Sequence, residues 1–115
     1  MKHILIFAGT TEGRELMEKI KHFQVEVFVS VATEYGKECL LKEPEKERTV
    51  STKHGEVQAG NLNIIAGRMK EVEMKRYMEK QAIDLVVDAT HPFAREVTKN
   101  IRTACREAGI SYLRL

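Results

Sequence analysis

The segment most suited to chemistry runs from Asp88 to Ala94 and reads Asp-Ala-Thr-His-Pro-Phe-Ala. It follows the strongly apolar run at 83–87, which is typical of a buried parallel strand. Pro92 suits the first turn of a helix, where its missing N–H is no loss, so the pattern predicts a strand-to-helix junction. Open α/β sheets bind their ligands at such junctions. We therefore expect His91 to face a ligand crevice.

The rest of the chain alternates between apolar runs and helical spacing, which predicts βα units in a Rossmann-like three-layer α/β sandwich with a mostly parallel sheet. The first helix is expected to bury Leu16, Ile20 and Phe23, and Gly109 is expected to end the last helix. Strands are predicted over 3–8, 25–31, 62–66, 83–88 and 110–115, with a weak strand over 49–52. Helices are predicted over 12–22, 35–41, 70–81 and 92–108, and a surface loop over the first part of 43–53.

Length and composition indicate one domain of an ordinary globular protein, with 115 residues and a formal net charge of +2. This charge is too small, and its Lys and Glu too interspersed, to favour a nucleic-acid surface. No apolar run is long enough for a membrane span and the amino terminus lacks a signal-peptide pattern, so we expect a cytoplasmic protein without membrane contact. Cys39 and Cys105 have no metal-ligand spacing and are interpreted as small buried residues.

The predicted final strand has no following element to cover it. Two interpretations are open. Interior parallel strands are covered on both faces, which favours a second domain absent from this chain. Alternatively, residues 110–115 form an edge strand that completes a small sheet.

The turn after the first strand contains small and hydroxylated residues over 8–14. Such a turn lets helix N–H groups approach a phosphate. The dinucleotide fingerprint G-x-G-x-x-G is incomplete, because Ala8 and Thr10 occupy glycine positions and only Gly13 fits. Thr10 or Thr11 could equally be a helix N-cap.

Two further turns follow predicted strands. The second strand ends at Ser30 without the acidic residue that holds the ribose diol of NAD, which favours NADP slightly. Thr33 could face a ligand or cap the next helix. Gly67 permits an unusual turn, and Arg68 could bind a carboxylate or phosphate or could be a solvated surface residue.

The chain resembles the precorrin-6A reductases, including the cobalt-precorrin-6A reductases of the anaerobic cobalamin pathway. The resemblance extends over essentially the whole chain. It is carried by Gly-Thr-Thr-Glu-Gly-Arg at 9–14, Ala-Thr-Glu-Tyr-Gly at 32–36, Gly67-Arg68, Asp-Ala-Thr-His-Pro-Phe-Ala at 88–94 and Tyr-Leu-Arg-Leu at 112–115.

Members of this family reduce one double bond of a corrin-ring precursor with NADPH or NADH and have two α/β lobes with the site between them. Because they are longer than this chain, the resemblance implies that residues 1–115 are a single amino-terminal, dinucleotide-binding-like domain without the second lobe. The implied partner is a tetrapyrrole substrate, and any cobalt is held by the macrocycle and not by protein ligands.

The resemblance also implies roles for individual residues. His91 would be catalytic, as a proton donor or a group that binds a substrate carboxylate, although it could instead bond only to local backbone. Asp88 is expected to hold the loop by accepting backbone N–H bonds. The cofactor-binding residues would be Gly9, Thr10, Thr11, Glu12, Gly13, Ser30 and Thr33. The substrate-binding residues would be Tyr35, Arg68, Thr90 and His91.

Two other classes of α/β protein are excluded by residues that they require and this chain lacks. A short-chain dehydrogenase needs Lys four residues after its Tyr, and Tyr35, Tyr77 and Tyr112 all lack it. A receiver domain needs acidic residues after the first strand, where this chain has Ala8 and Gly9. A nucleotide-binding or ligand-sensing module without catalysis remains the alternative.

Overall fold

A single sheet flanked by helices accounts for the residues that the computed structural model describes, which are 1–32, 48–50 and 56–115. The strands are β1 (Lys2–Ala8), β2 (Val25–Val31), β3 (Arg48–Val50), β4 (Glu56–Ala59), β5 (Leu62–Ala66), β6 (Leu85–Ala89) and β7 (Ser111–Arg114). The helices are α1 (Thr11–Ile20), α2 (Glu71–Lys80) and α3 (Arg95–Ala108).

The sheet has the strand order β3-β4-β5-β2-β1-β6-β7. The five strands from β5 to β7 in this order pair in parallel, whereas β3 and β4 pair antiparallel with their neighbours. The chain moves from β1 to β2 and β5 on one side, and then returns to place β6 on the other side of β1. The carboxyl ends of β1 and β6 therefore flank the topological switch point, where doubly wound sheets bind ligands.

Helices cover both faces of the sheet, which confirms the predicted three-layer sandwich. On one face, Met17 of α1 packs against strand residues that include Ile6, Val29 and Val87. On the other face, α2 and α3 bury Met74, Met78, Ile101, Ala104 and Cys105 against Leu5, Phe28 and Val86. No helix in the described parts of the chain is long and apolar enough to cross a membrane.

Most predicted elements agree with the structure to within a few residues at each end. The antiparallel strand β4 was not predicted, and β3 overlaps the weak strand expected over 49–52. The predicted helix over 35–41 lies outside the described residues. Gly109 ends α3 in the left-handed region at φ 70°, as expected.

Two predictions about helix ends are wrong. The last helix begins at Arg95 and not at Pro92, because the Ala94 N–H donates to the His91 carbonyl at 2.9 Å and closes a turn first. Pro92 occupies the second position of that turn, where its fixed φ is equally suitable. Phe23 lies beyond the end of α1 and is exposed, so it does not extend the buried face of that helix.

Candidate functional site

A cleft of about 570 Å³ opens at the carboxyl end of the parallel strands. The turns after β1, β2, β5 and β6 all contribute to it, together with the first half of α3. Polar and charged side chains on its walls are Ser30, Arg68, Lys70, Thr90, His91, Glu96 and Asn100. The topological switch point is thus an open site of the size that small-molecule ligands occupy.

The turn after β1 is packed tightly against the turn after β6. A Cβ added at Gly9 would lie 3.3 Å from Thr90 Cα, and one added at Gly13 would lie 2.8 Å from Ala89 Cβ. Gly13 therefore lets α1 approach β6 closely, which is the role of the third glycine in dinucleotide-binding turns. The glycine pattern that looked incomplete in the sequence retains this packing function.

Thr10 is the N-cap of α1, one of the two interpretations that the sequence left open. Its hydroxyl accepts the Gly13 N–H at 3.4 Å and donates to the Ala89 carbonyl at 2.9 Å. The side chain thus satisfies a free donor of the first helical turn and ties α1 to β6. The N–H groups of Thr11 and Glu12, for which no partner occurs among the described residues, lie at a helix end that carries partial positive charge.

Ser30 is the polar side chain of β2 that lines the cleft. Only 7% of its surface is exposed, and no hydrogen-bond partner for its hydroxyl occurs among the described residues. A buried hydroxyl without a partner is uncommon, because losing its hydrogen bonds to water costs free energy. A ligand in the cleft would provide the missing partner.

The turn after β5 brings two cations to the same side of the cleft. Gly67 adopts φ 116°, a conformation that side-chain-bearing residues rarely adopt, and its N–H donates to the Val31 carbonyl at 2.9 Å. This bond places the turn directly beside the end of β2. Arg68 and Lys70 are exposed and line the cleft beyond it.

His91 is exposed at the rim of the cleft, in the turn that precedes α3. Its Nδ1 accepts the Phe93 N–H at 3.2 Å, and the two rings lie with centroids 5.0 Å apart. Because Nδ1 is the acceptor, the neutral ring carries its hydrogen on Nε2. Phe93 is 82% exposed, so the two aromatic rings form a small apolar platform facing solvent.

Asp88 is fully buried beneath this turn and holds it in place. Oδ1 accepts the Thr90 N–H at 3.0 Å and the Thr90 hydroxyl at 2.6 Å, while Oδ2 accepts from Thr98 and Tyr112 at 2.8 Å each. Burial alone would raise the pKa of the Asp88 carboxyl, but the hydrogen bonds from Thr90, Tyr112 and Thr98 outweigh it and lower the pKa below 3.8. The expectation that Asp88 holds the loop through a backbone N–H is confirmed.

The last strand contributes the counterion of this carboxylate. Arg114 Nη1 lies 2.8 Å from Asp88 Oδ1, and Nη2 donates to the Thr90 carbonyl at 2.8 Å. Burial, followed by the hydrogen bond to Asp88 and its charge, raises the pKa of Tyr112 to about 12. The Tyr112 hydroxyl therefore remains a protonated donor at neutral pH.

The structure brings together five of the residues predicted for the site: Gly9, Ser30, Arg68, Thr90 and His91. Thr10, Thr11, Glu12 and Gly13 form the adjoining amino terminus of α1 but do not line the cleft. Thr33 and Tyr35 lie outside the described residues. No group of three or more His, Cys, Asp or Glu side chains suited to a metal ion occurs in the described part of the chain.

Several residues of the site were not predicted from the sequence. Lys70, Glu96 and Asn100 line the cleft, and Thr98 and Arg114 bind Asp88. Arg114 could have been found from strand order, because parallel pairing of β6 with β7 places it opposite Asp88. No sequence signal distinguishes Glu96 and Asn100 from the other polar residues of α3.

Comparison with known proteins relates this chain to one family. The family model described as "Precorrin-6x reductase CbiJ/CobK" matches residues 3–53 and 48–115. The chain belongs to the precorrin-6x reductase family. The resemblance inferred from the motifs is thereby confirmed.

Curated relatives in this family are similar over nearly the whole chain. A cobalt-precorrin-6A reductase of Priestia megaterium is 28% identical over 96% of the chain and 37% of its own length. A precorrin-6A reductase of Mycobacterium tuberculosis is 31% identical over 98% of the chain and 38% of its own length. The chain thus spans less than two fifths of these precorrin-6x reductases.

A solved structure supports the same fold. The protein described as "CobK precorrin-6A reductase" superposes with a TM-score of 0.72 and 23% identity, covering 100% of this chain and 39% of that one. At this identity the likeness concerns the fold. The superposed structure has the same Rossmann-like arrangement of strands and helices as this chain.

Proposed function

We propose that this chain is the amino-terminal, cofactor-binding domain of an enzyme that reduces precorrin-6A or cobalt-precorrin-6A to the 6B form in cobalamin biosynthesis, with NADPH as reductant. The observation that carries the proposal is the convergence of Gly9, Ser30, Arg68 and His91 on one cleft in a member of this reductase family. A second domain, outside this chain, would provide the opposite wall of the active site.

A nicotinamide nucleotide is compatible with the residues of the cleft. The Ser30 hydroxyl is buried and has no partner among the described residues, and Gly9, which has no side chain, lines the cleft beside it. The N–H groups of Thr11 and Glu12 at the start of α1 suit a pyrophosphate. When bound, such a cofactor supplies the hydride, while the protein provides orientation and charge.

NADPH is favoured over NADH by the lack of an acidic residue at the end of β2 and by a cation beside it. Adenine riboses bind at this position in Rossmann-like folds, and NAD selectivity there requires an acidic residue. The end of β2 has Ser30 and Val31 instead, and Arg68 follows the neighbouring strand. A guanidinium group binds a phosphate strongly through paired N–H bonds, so Arg68 is assigned to the 2′-phosphate.

His91 is assigned the role of donating the proton that accompanies the hydride. Reducing a carbon–carbon double bond adds one hydride to one carbon and one proton to the other. With Nδ1 engaged by the Phe93 N–H, the Nε2–H of His91 is the donor that remains, and the exposed ring would regain this proton from solvent. The exposed rings of His91 and Phe93 also suit the flat surface of a tetrapyrrole.

Two variants of the complete protein test these assignments. His91→Ala is expected to lower kcat about 100-fold with an unchanged Kd for NADPH, since general acids contribute at least this much. Arg68→Gln is expected to weaken NADPH binding about tenfold and NADH binding less than twofold. Arg76→Gln, which removes an exposed Arg of α2 away from the cleft, is the control.

Unchanged turnover in His91→Ala would exclude a chemical role for this residue. Equal weakening of NADPH and NADH by Arg68→Gln would refute the phosphate assignment. If the complete protein binds NADPH but reduces no corrin precursor, it is instead a nucleotide-binding module without catalysis. That alternative rests on the same cleft and differs only in turnover.

A further inference from the structure

We propose that Arg114 is the positioning residue for His91, acting through Thr90. This inference rests on the proposed function, because it assumes that the imidazole of His91 acts on the substrate. Arg114 is not itself a lining residue of the cleft, but it bonds to Thr90, which is one. Its effect on the reaction would therefore pass entirely through the turn that carries His91.

The guanidinium group of Arg114 contacts both the buried carboxylate and the turn itself. Nη1 lies 2.8 Å from Asp88 Oδ1 and 3.0 Å from the Thr90 hydroxyl oxygen. Nη2 donates to the Thr90 carbonyl at 2.8 Å. That carbonyl belongs to the peptide bond leading into His91, so the position of Arg114 constrains the backbone on which the imidazole is mounted.

The other contacts of Asp88 leave little freedom in this arrangement. Thr98 of α3 and Tyr112 of β7 each donate to Oδ2 at 2.8 Å, and the Leu115 N–H donates to the Asp88 carbonyl at 2.9 Å. The carboxylate thus joins β6, β7 and α3 at the base of the turn. Networks of charge-assisted hydrogen bonds in a buried setting favour one geometry strongly.

The planar fork of arginine explains why this residue type suits the position. One guanidinium group can bond to a carboxylate and a neighbouring carbonyl at once, because its donors point along fixed directions. A lysine ammonium could pair with Asp88 but lacks that fork. Arg114→Lys should therefore keep the charge pair and lose part of the constraint on Thr90.

The test compares Arg114→Met, Arg114→Lys and wild type in the complete protein, with Arg106→Met as the matched control. Arg106 lies on α3, where its guanidinium group donates to the Thr103 hydroxyl at 3.4 Å. We measure kcat, the KM for NADPH, the melting temperature and the hydrogen exchange rate of the Thr90 amide.

Arg114→Met is expected to lower kcat about tenfold or more, since displacing a catalytic group by about 1 Å costs up to 100-fold. The KM for NADPH should change less than twofold, because Arg114 lies outside the cleft. Exchange of the Thr90 amide should accelerate. Arg114→Lys should recover part of kcat, and Arg106→Met should match wild type in every measurement.

An unchanged kcat in folded Arg114→Met would overturn the proposal, as would a fall in kcat equalled by a rise in the KM for NADPH. If Arg114→Met does not fold, Tyr112→Phe removes one bond to Asp88 and must lower kcat while leaving the KM unchanged. If wild type reduces no corrin precursor, the proposed function fails. Faster Thr90 exchange in Arg114→Met would then still support positioning, and unchanged exchange would reject it.

Discussion

Replacing Gly13 by Ala tests whether α1 depends on its close approach to β6. The new Cβ would lie 2.8 Å from Ala89 Cβ. Carbon atoms in good contact are about 3.5 Å apart or more, so α1 or β6 must move by about 0.7 Å. Both flanking elements are fixed, because the Thr10 hydroxyl donates to the Ala89 carbonyl at 2.9 Å.

The expected magnitude follows from two opposing effects. Overpacking of this kind costs about 2 kcal/mol. Ala is favoured over Gly inside a helix by about 1 kcal/mol, so the net loss of unfolding free energy is about 1 kcal/mol. For a chain of this size, that corresponds to a fall in Tm of about 4 °C.

Urea and thermal unfolding followed by circular dichroism provide the assay. The matched control is the double variant Gly13→Ala with Ala89→Gly, which removes the opposing methyl group. The two changes should couple favourably by about 2 kcal/mol in a double-mutant cycle. If Gly13→Ala alone raises the stability by about 1 kcal/mol, only helix propensity matters and the packing argument is refuted.

Three further predictions concern stability and reactivity. Asp88→Asn should destabilise the fold by about 3 kcal/mol at pH 7, because it leaves Arg114 without its buried counterion. Because folding lowers the pKa of Asp88, its carboxylate stabilises the wild-type fold fully above the ordinary pKa of 3.8, and this stabilisation is lost as the pH falls below that value. Equal losses of unfolding free energy in wild type and Asp88→Asn during an acid titration would contradict this. Burial, followed by the charge of Asp88, raises the pKa of Cys105 to about 11. In a Cys39→Ser variant, Cys105 should therefore react with iodoacetamide at pH 8 about a hundredfold more slowly than free cysteine does. Equal reaction rates would disprove this prediction. Thr10→Ala should lower the unfolding free energy measured by chemical denaturation by about 1 kcal/mol, because it removes the N-cap of α1, whereas Thr10→Ser should lower it little. Similar losses in the two variants would argue against the cap.

Strand and helix types could be predicted because the apolar periods of this chain are regular. The antiparallel strand β4 was missed although its signal was present. Ala59 pairs with Leu62 across the two-residue loop Gly60-Asn61, a loop length typical of β-hairpins. Because β4 has only four residues, its alternation of apolar and polar residues is too short to indicate a strand directly after the charged stretch that precedes it.

The site was predictable where a loop leaves a parallel strand. Ser30, Arg68 and His91 were identified because every such loop meets the same edge of the sheet. The start of α3 was not predictable from Pro92 alone, since proline suits both the second position of a turn and the first turn of a helix. The bonds of Asp88 depend on the register between β6 and β7, which local patterns do not encode.

The central claim is that the cleft at the switch point binds NADPH. Titrating NADPH into the ¹⁵N-labelled chain and following amide chemical shifts tests it most directly. The account predicts saturable shifts that concentrate at Gly9, Ser30, Arg68 and His91, with a smaller response to NADH. Absence of saturable shifts, or shifts confined to residues away from this cleft, would contradict it.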